Sequence, residues 1–110
     1  MKCMKIFSSL AIGVAVVLLF WIAGFANEVG QTEEGKKVYS EMKCAMCHKI
    51  EGVGGKTGPD LSGVGSRKDA AWIKGFLRDP KSVIPGTKQP AFKGTDEQLE
   101  ALVAYLMSLR

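Results

Sequence analysis

Cys44-Ala45-Met46-Cys47-His48 concentrates the reactive side chains of this 110-residue chain. Two thiols two residues apart, followed at once by an imidazole, form the attachment signature of a c-type haem. The spacing has a chemical reason. Each thiol adds to one of the two haem vinyl groups, and the adjacent His48 is then held beneath the iron as its proximal ligand. The stretch therefore predicts one covalently attached haem c per chain, bonded through Cys44 and Cys47, with His48 on the metal. Other uses of these residues fit less well. A thioredoxin-like redox pair needs a βαβ setting, which the pattern lacks. A zinc site needs four ligands, and Cys44, Cys47 and His48 are three and too close together. Gly55-Lys56-Thr57 resembles the tail of a phosphate-binding loop, but the first glycine of that motif would fall on Ile50 and no strand precedes it.

Helices must carry this pentapeptide. Thr32 reads as an N-cap with Glu33 and Glu34 in the first turn, where the helix dipole favours acids. Gly35, Val38, Tyr39 and Met42 then follow the apolar spacing of one helix running into the motif. Gly35 inside it costs about 1 kcal/mol relative to alanine, which suggests a close helix–helix contact there. Residues 50–65 read as a loop rich in glycine, suited to wrapping around the proximal haem face. Ser66 and Asp69 have capping-box spacing ahead of Trp72, Ile73, Phe76 and Leu77, with Pro80 ending that helix near Asp79. Residues 81–94 read as extended. Thr95 and Gln98 form a second capping box, and Leu99, Leu102, Val103 and Leu106 give the apolar face of a closing helix that runs to Arg110. No convincing strand or internal repeat is found, so the expected class is all-α, with three to four helices around the haem.

The front of the chain is different. Lys2 and Lys5 precede a charge-free, mostly apolar run over residues 6–26, the basic head and greasy body of an export signal. Gly24-Phe25-Ala26 places small residues where cleavage before Asn27 would need them. The run of 21 residues also reaches the ~20 that span a bilayer, and Trp21 suits a membrane interface. Residues 1–26 are thus a cleaved signal peptide or a retained membrane anchor, 27–31 a linker, and 32–110 the haem domain. Either way the motif is exported, to the periplasm as a soluble domain or to the outer side of the cytoplasmic membrane. Cys3 lies in the leader and ahead of the apolar run, the wrong place for a lipoprotein cysteine.

Composition agrees with a bound cofactor. Of the 51 hydrophobic residues, 20 lie in residues 1–26, leaving 31 among the following 84. That is a thin core for so small a domain, and a flat apolar haem would supply interior. Without Lys2 and Lys5 the net charge falls from +4 to +2, with 13 basic and 11 acidic residues. No basic patch argues for nucleic acid.

Over nearly all of residues 32–110 the chain resembles a class I c-type cytochrome. The matching features are the helix ending in the Cys44–His48 motif, Gly58-Pro59-Asp60-Leu61, Pro85-Gly86, Pro90-Ala91-Phe92 and the closing helix. The resemblance implies a small helical fold around one haem, with first and last helices crossing at Gly35 and Tyr105. It implies that the Pro59 carbonyl accepts a hydrogen bond from the proximal histidine, fixing its ring and tuning its basicity. Leu61, Arg67 and Trp72 would belong to the haem environment, the latter two near the propionates.

Position 89 departs from the family. Its Pro-Gly-x-x-Met-Pro pattern supplies a methionine as the distal iron ligand, whereas this chain reads Pro85-Gly86-Thr87-Lys88-Gln89-Pro90. Met42, Met46 and Met107 sit on predicted helices or in the attachment loop, and His48 is the only histidine. The distal position is left to the Gln89 amide oxygen, the Lys88 amine, water, or an open site. A hard oxygen or nitrogen ligand favours ferric iron, so the potential should lie below that of a methionine-ligated relative.

The expected function is single-electron transfer in a respiratory or related chain, with redox proteins or a membrane respiratory complex as partners. An alternative is a haem protein that binds or senses gaseous ligands through a weak or open distal site. An enzymatic, peroxidase-like role is disfavoured because His48 is committed to iron and no second histidine remains for acid–base work.

Overall fold

A computed structural model describes the backbone of residues 2–110 and the side chains of residues 12–24 and 27–110. The side chains of Lys2, Cys3, Lys5, Phe25 and Ala26, on which the export-signal reading partly rests, lie outside the described residues. The elements are α1 (Lys2–Glu41), a 3-10 turn (Cys44–Met46), β1 (Lys49–Ile50), β2 (Val53–Gly54), α2 (Val64–Arg67), α3 (Ala70–Arg78), α4 (Pro80–Val83) and α5 (Asp96–Ser108). The all-α expectation holds, since the two strands together contribute four residues.

The chain divides into two compact units, Met1–Gly30 and Gln31–Arg110. In the first, the described apolar side chains face outward; Phe20 and Trp21 are 77% and 67% exposed. Among the described residues, this is the one helix long and apolar enough to cross a membrane. Residues 27–31, expected as a linker with Thr32 starting a new helix, are instead helical. The stretch contains no proline, and Gly30, its one poor helix former, costs only about 1 kcal/mol against alanine, so nothing stops the hydrogen-bond ladder.

In the second unit the core is Val38 and Tyr39 of α1, Val64 of α2, Ile73 of α3, and Leu99, Leu102, Val103 and Leu106 of α5. Leu99, Leu102, Val103 and Leu106 recur at helical spacing, which turns them to one side of α5. The first and last helices meet where Gly35 lies against α5. A Cβ on Gly35 would fall 1.9 Å from the Ala101 carbonyl oxygen and 2.7 Å from Tyr105 Cβ. One turn further, the Tyr39 and Tyr105 rings meet edge-on with centroids 5.7 Å apart. Lys74 pairs with Glu100, and Arg78 Nη2 lies 2.7 Å from Asp96 Oδ1, bracing α3 on α5.

Four local expectations need correction. Ser66 lies inside the short α2 and does not open the tryptophan helix. Asp69 caps α3 itself by accepting a hydrogen bond from the Trp72 N–H. The segment 50–65 is not wholly loop: Lys49 and Ile50 pair antiparallel with Gly54 and Val53. Glu51 and Gly52 turn the chain with φ of 48° and 84°, the double left-handed geometry of a tight hairpin. Pro80 ends α3 yet begins α4, where Asp79 accepts from the Ser82 N–H and proline occupies the first turn. Last, α5 stops at Ser108, two residues short of Arg110. Thr95 and Gln98 do form a reciprocal capping box at its start.

Candidate haem site

The attachment motif is presented by the way α1 ends. Lys43 takes a left-handed conformation (φ 56°), and the chain enters the 3-10 turn. The N–H groups of Cys47 and His48 both donate to the Cys44 carbonyl, at 3.2 and 3.0 Å. This tight turn places the two thiols and the imidazole on consecutive corners of one loop. Cys44 is half-buried and Cys47 exposed. Burial pushes the Cys44 thiol above its ordinary range. Tyr39, whose hydroxyl donates to the His48 carbonyl at 3.5 Å, is pushed up to about 12, mainly by burial.

The glycine-rich segment then wraps the motif. The Gly55 N–H donates to Ala45 O at 2.8 Å, and the Gly58 N–H to Cys47 O at 2.7 Å. The Pro59 carbonyl oxygen lies 2.9 Å from His48 Nδ1. Asp60 carries a turn in which its Oδ1 accepts from the Ser62 N–H at 2.8 Å. Hydrogen bonds from Ser62 hold the Asp60 carboxyl below the usual carboxylate range, with Lys49 and Arg67 adding favourable charge. Arg67 donates to the carbonyls of Ser62 (2.6 Å) and Asp60 (2.9 Å), so its guanidinium pins this loop while also lining the cleft.

On the other side, Ile84-Pro85-Gly86-Thr87 reverses the chain. The Thr87 N–H donates to Ile84 O at 3.2 Å, and Gly86 has φ 83°, as the third residue of a type II turn requires. The Phe92 N–H donates to Leu77 O at 2.8 Å and ties the segment to the end of α3. Between these two anchors, Gln89 is half-buried on the cleft wall and Lys88 is exposed outside it. Adjacent residues of an extended segment point to opposite sides, so the two candidates could not both face inward.

A cleft of about 220 Å³ opens beside the motif, lined mostly by apolar side chains. His48, Pro59, Leu61, Arg67, Trp72 and Gln89 line it together, alongside Cys44. Met42, Met46 and Met107 do not line it. Trp72 stacks on Phe76 (centroids 5.1 Å apart), and the Lys68 ammonium lies 4.2 Å from the Trp72 ring centroid. Sequence reasoning placed Tyr39, Phe76, Leu77, Leu102 and Leu106 on helices without assigning them to the site; their apolar spacing marks burial but not which cavity they face. Gly58 was also missed as a positioning residue. A Cβ there would lie 2.7 Å from His48 Cε1 and 2.8 Å from Nδ1.

The donor set fits an iron. Gln89 Oε1 lies 3.1 Å from His48 Nε2, so both ring nitrogens face oxygen acceptors. A neutral imidazole carries one N–H. With that hydrogen donated to Pro59, Nε2 and Oε1 would meet lone pair to lone pair unless a proton or a metal ion lay between them. His48 and Gln89, both on the cleft wall, are the residues that would hold an iron there.

The Cytochrome c family model matches residues 32–110. A cytochrome c from Guizotia abyssinica is 33% identical, over 76% of this chain and 96% of that protein. Cytochrome c oxidase subunit 2 of Alkalihalophilus pseudofirmus is also 33% identical, over 82% of this chain; the match spans 30% of that relative's length. Among solved structures, SoxXA from P. pantotrophus matches with a TM-score of 0.62 and 26% identity, over 70% of this chain and 80% of that one. The wrapped Cys44–His48 turn, the apolar cleft beside it and these matches lead to one conclusion: the chain belongs to the cytochrome c family and carries a covalently attached haem c.

Proposed function

We propose that this cytochrome carries single electrons on the extracytoplasmic side of a membrane, passing them to or from a respiratory complex. Cys44 and Cys47 would hold the haem covalently, His48 would bind the iron on one side, and Gln89 would face it on the other. The haem supplies a one-electron couple when bound. The chain's own residues set the terms of that couple. Pro59 takes the Nδ1 hydrogen of His48, which orients the ring and raises its basicity. The walls that α3 and α5 contribute to the cleft are apolar: Trp72, Ile73, Phe76 and Leu77 from one, Leu102 and Leu106 from the other. Gln89 presents a hard oxygen, which favours ferric iron and lowers the potential.

The observation that carries this reading is that His48, the one histidine in the sequence, faces the cleft beside Cys44 with its Nδ1 held 2.9 Å from the Pro59 carbonyl. No imidazole is left over to shuttle protons to a substrate, whereas electron transfer needs none. The exposed apolar helix before residue 30 and the likeness to an oxidase subunit support a site outside the cytoplasm, whether the leader is retained or removed near Ala26.

The test is a potentiometric titration of the purified haem-loaded protein, followed by mixing the reduced form with membranes that contain a cytochrome c oxidase. A reversible one-electron curve and rapid reoxidation are expected. Irreversible reduction, or failure of the membranes to oxidise it, would overturn the proposal.

A further inference from the structure

We infer that the leader stays on the mature protein as a single bilayer-spanning anchor, because α1 runs unbroken through the point where it would be cut. The inference rests on the reading that the haem domain is exported, and it names what holds that domain at the membrane.

Three observations support it. The first is the backbone at the cleavage point. A peptidase takes its substrate as an extended strand and pairs with its backbone N–H and C=O groups. Around Ala26-Asn27 those groups are already paired inside α1, which continues from Lys2 to Glu41. Nothing nearby releases them. The four prolines, Pro59, Pro80, Pro85 and Pro90, all come later in the chain. Gly24 and Gly30 are helical, and neither takes the left-handed φ with which a glycine ends a helix. Helix formation is cooperative, so exposing one bond in the middle of so long an element means opening turns on both sides of it.

The second observation is the surface of the helix. Val16, Val17, Leu18 and Leu19 are all exposed, and at 3.6 residues per turn they face every direction around the axis. A groove on a partner protein would cover one face of such a helix, whereas the bilayer interior surrounds it.

The third is length. The uncharged run over residues 6–26 rises about 32 Å as helix, which matches a hydrocarbon core of about 30 Å. Beyond it, Phe20, Trp21, Gly24 and Glu28 line one shallow groove. Aromatic rings beside the first charged residue after Lys5 are what a membrane–water interface accommodates.

The experiment expresses the full-length chain with its own leader in a bacterium that attaches haem, and separates membranes from the soluble fraction. The haem-loaded protein is followed by its visible spectrum and weighed by mass spectrometry. Wild type should stay in the membranes through an alkaline carbonate wash, with no loss of residues 1–26 from its mass. Ile22→Pro, which breaks α1 one turn before Ala26, should release a soluble chain that begins at Asn27. Ile22→Ala should behave as wild type. Soluble wild type that begins at Asn27 would overturn the inference, as would intact wild type that the carbonate wash strips off. So would an Ile22→Pro protein that remains intact in the membrane, because the helix would then not be what withholds the bond. Potentiometry and oxidation by membranes separate the two proposals. A released chain that still gives a reversible one-electron curve and is oxidised removes only the anchor. An intact, membrane-held chain that is not oxidised removes only the electron carrier.

Discussion

The imidazole of His48 lies directly on Gly58, whose missing side chain makes room for it: a Cβ there would come within 2.7 Å of the ring. The same ring donates from Nδ1 to the carbonyl of Pro59, the next residue. Glycine and proline thus act in sequence, one admitting the ring and the other orienting it.

Gly58→Ala should push the ring away and weaken the bond to Pro59. A less basic imidazole stabilises ferric iron less, so the potential should rise. A tenfold change in relative affinity for the two oxidation states corresponds to about 59 mV in a one-electron couple. Potentiometric comparison with wild type checks this. An unchanged potential would mean that the ring does not depend on Gly58.

Gly35 and Gly75 make opposite forecasts from the same substitution. At Gly35 an added Cβ would collide with the Ala101 backbone carbonyl, which cannot turn aside. Gly35→Ala should therefore cost about 1–3 kcal/mol of stability, the usual penalty for overpacking. At Gly75, inside α3, an added Cβ meets nothing within 4 Å. Gly75→Ala should add about 0.5–1 kcal/mol through backbone entropy. Denaturant titrations of the two variants side by side settle both signs.

Asp60 is held ionised below the usual carboxylate range by Ser62. A group depressed in the folded state adds stability above its unfolded pKa, and that contribution is lost as pH falls through the folded value. Stability of the wild type should therefore fall more steeply with acid than that of Asp60→Asn, over the range below about pH 4. Denaturant midpoints measured from neutral to acid pH provide the comparison. Parallel curves would show that the Asp60 turn contributes nothing.

Thr95→Ala should cost about 1 kcal/mol by removing one half of the capping box at the start of α5. Thr95→Ser, which keeps the hydroxyl, should recover most of it. Thermal unfolding of the three proteins reads the difference.

Local chemistry carried much of this protein in the sequence alone. The haem motif is covalent chemistry within five residues, and the Thr95–Gln98 box and the apolar side of α5 are set by neighbours within two turns. The Pro59 bond was legible only through likeness to a family, since nothing in residues 48–59 announces which carbonyl will meet Nδ1. Where local signals were weak, reading by sequence failed: Glu51-Gly52 is not a strong hairpin pair, and residues 27–31 hold polar residues that look like a linker but fold as helix. Tertiary structure decided three further matters. It chose Gln89 over Lys88 for the cleft, because alternation along an extended segment can bury only one of them. It set Arg67 to pin its own loop. It also put Gln89 opposite His48, 41 residues away in the chain. Such pairings depend on how the Pro85-Gly86 turn and the Leu77–Phe92 bond bring distant segments to one cleft. No periodicity or spacing in the sequence encodes that arrangement.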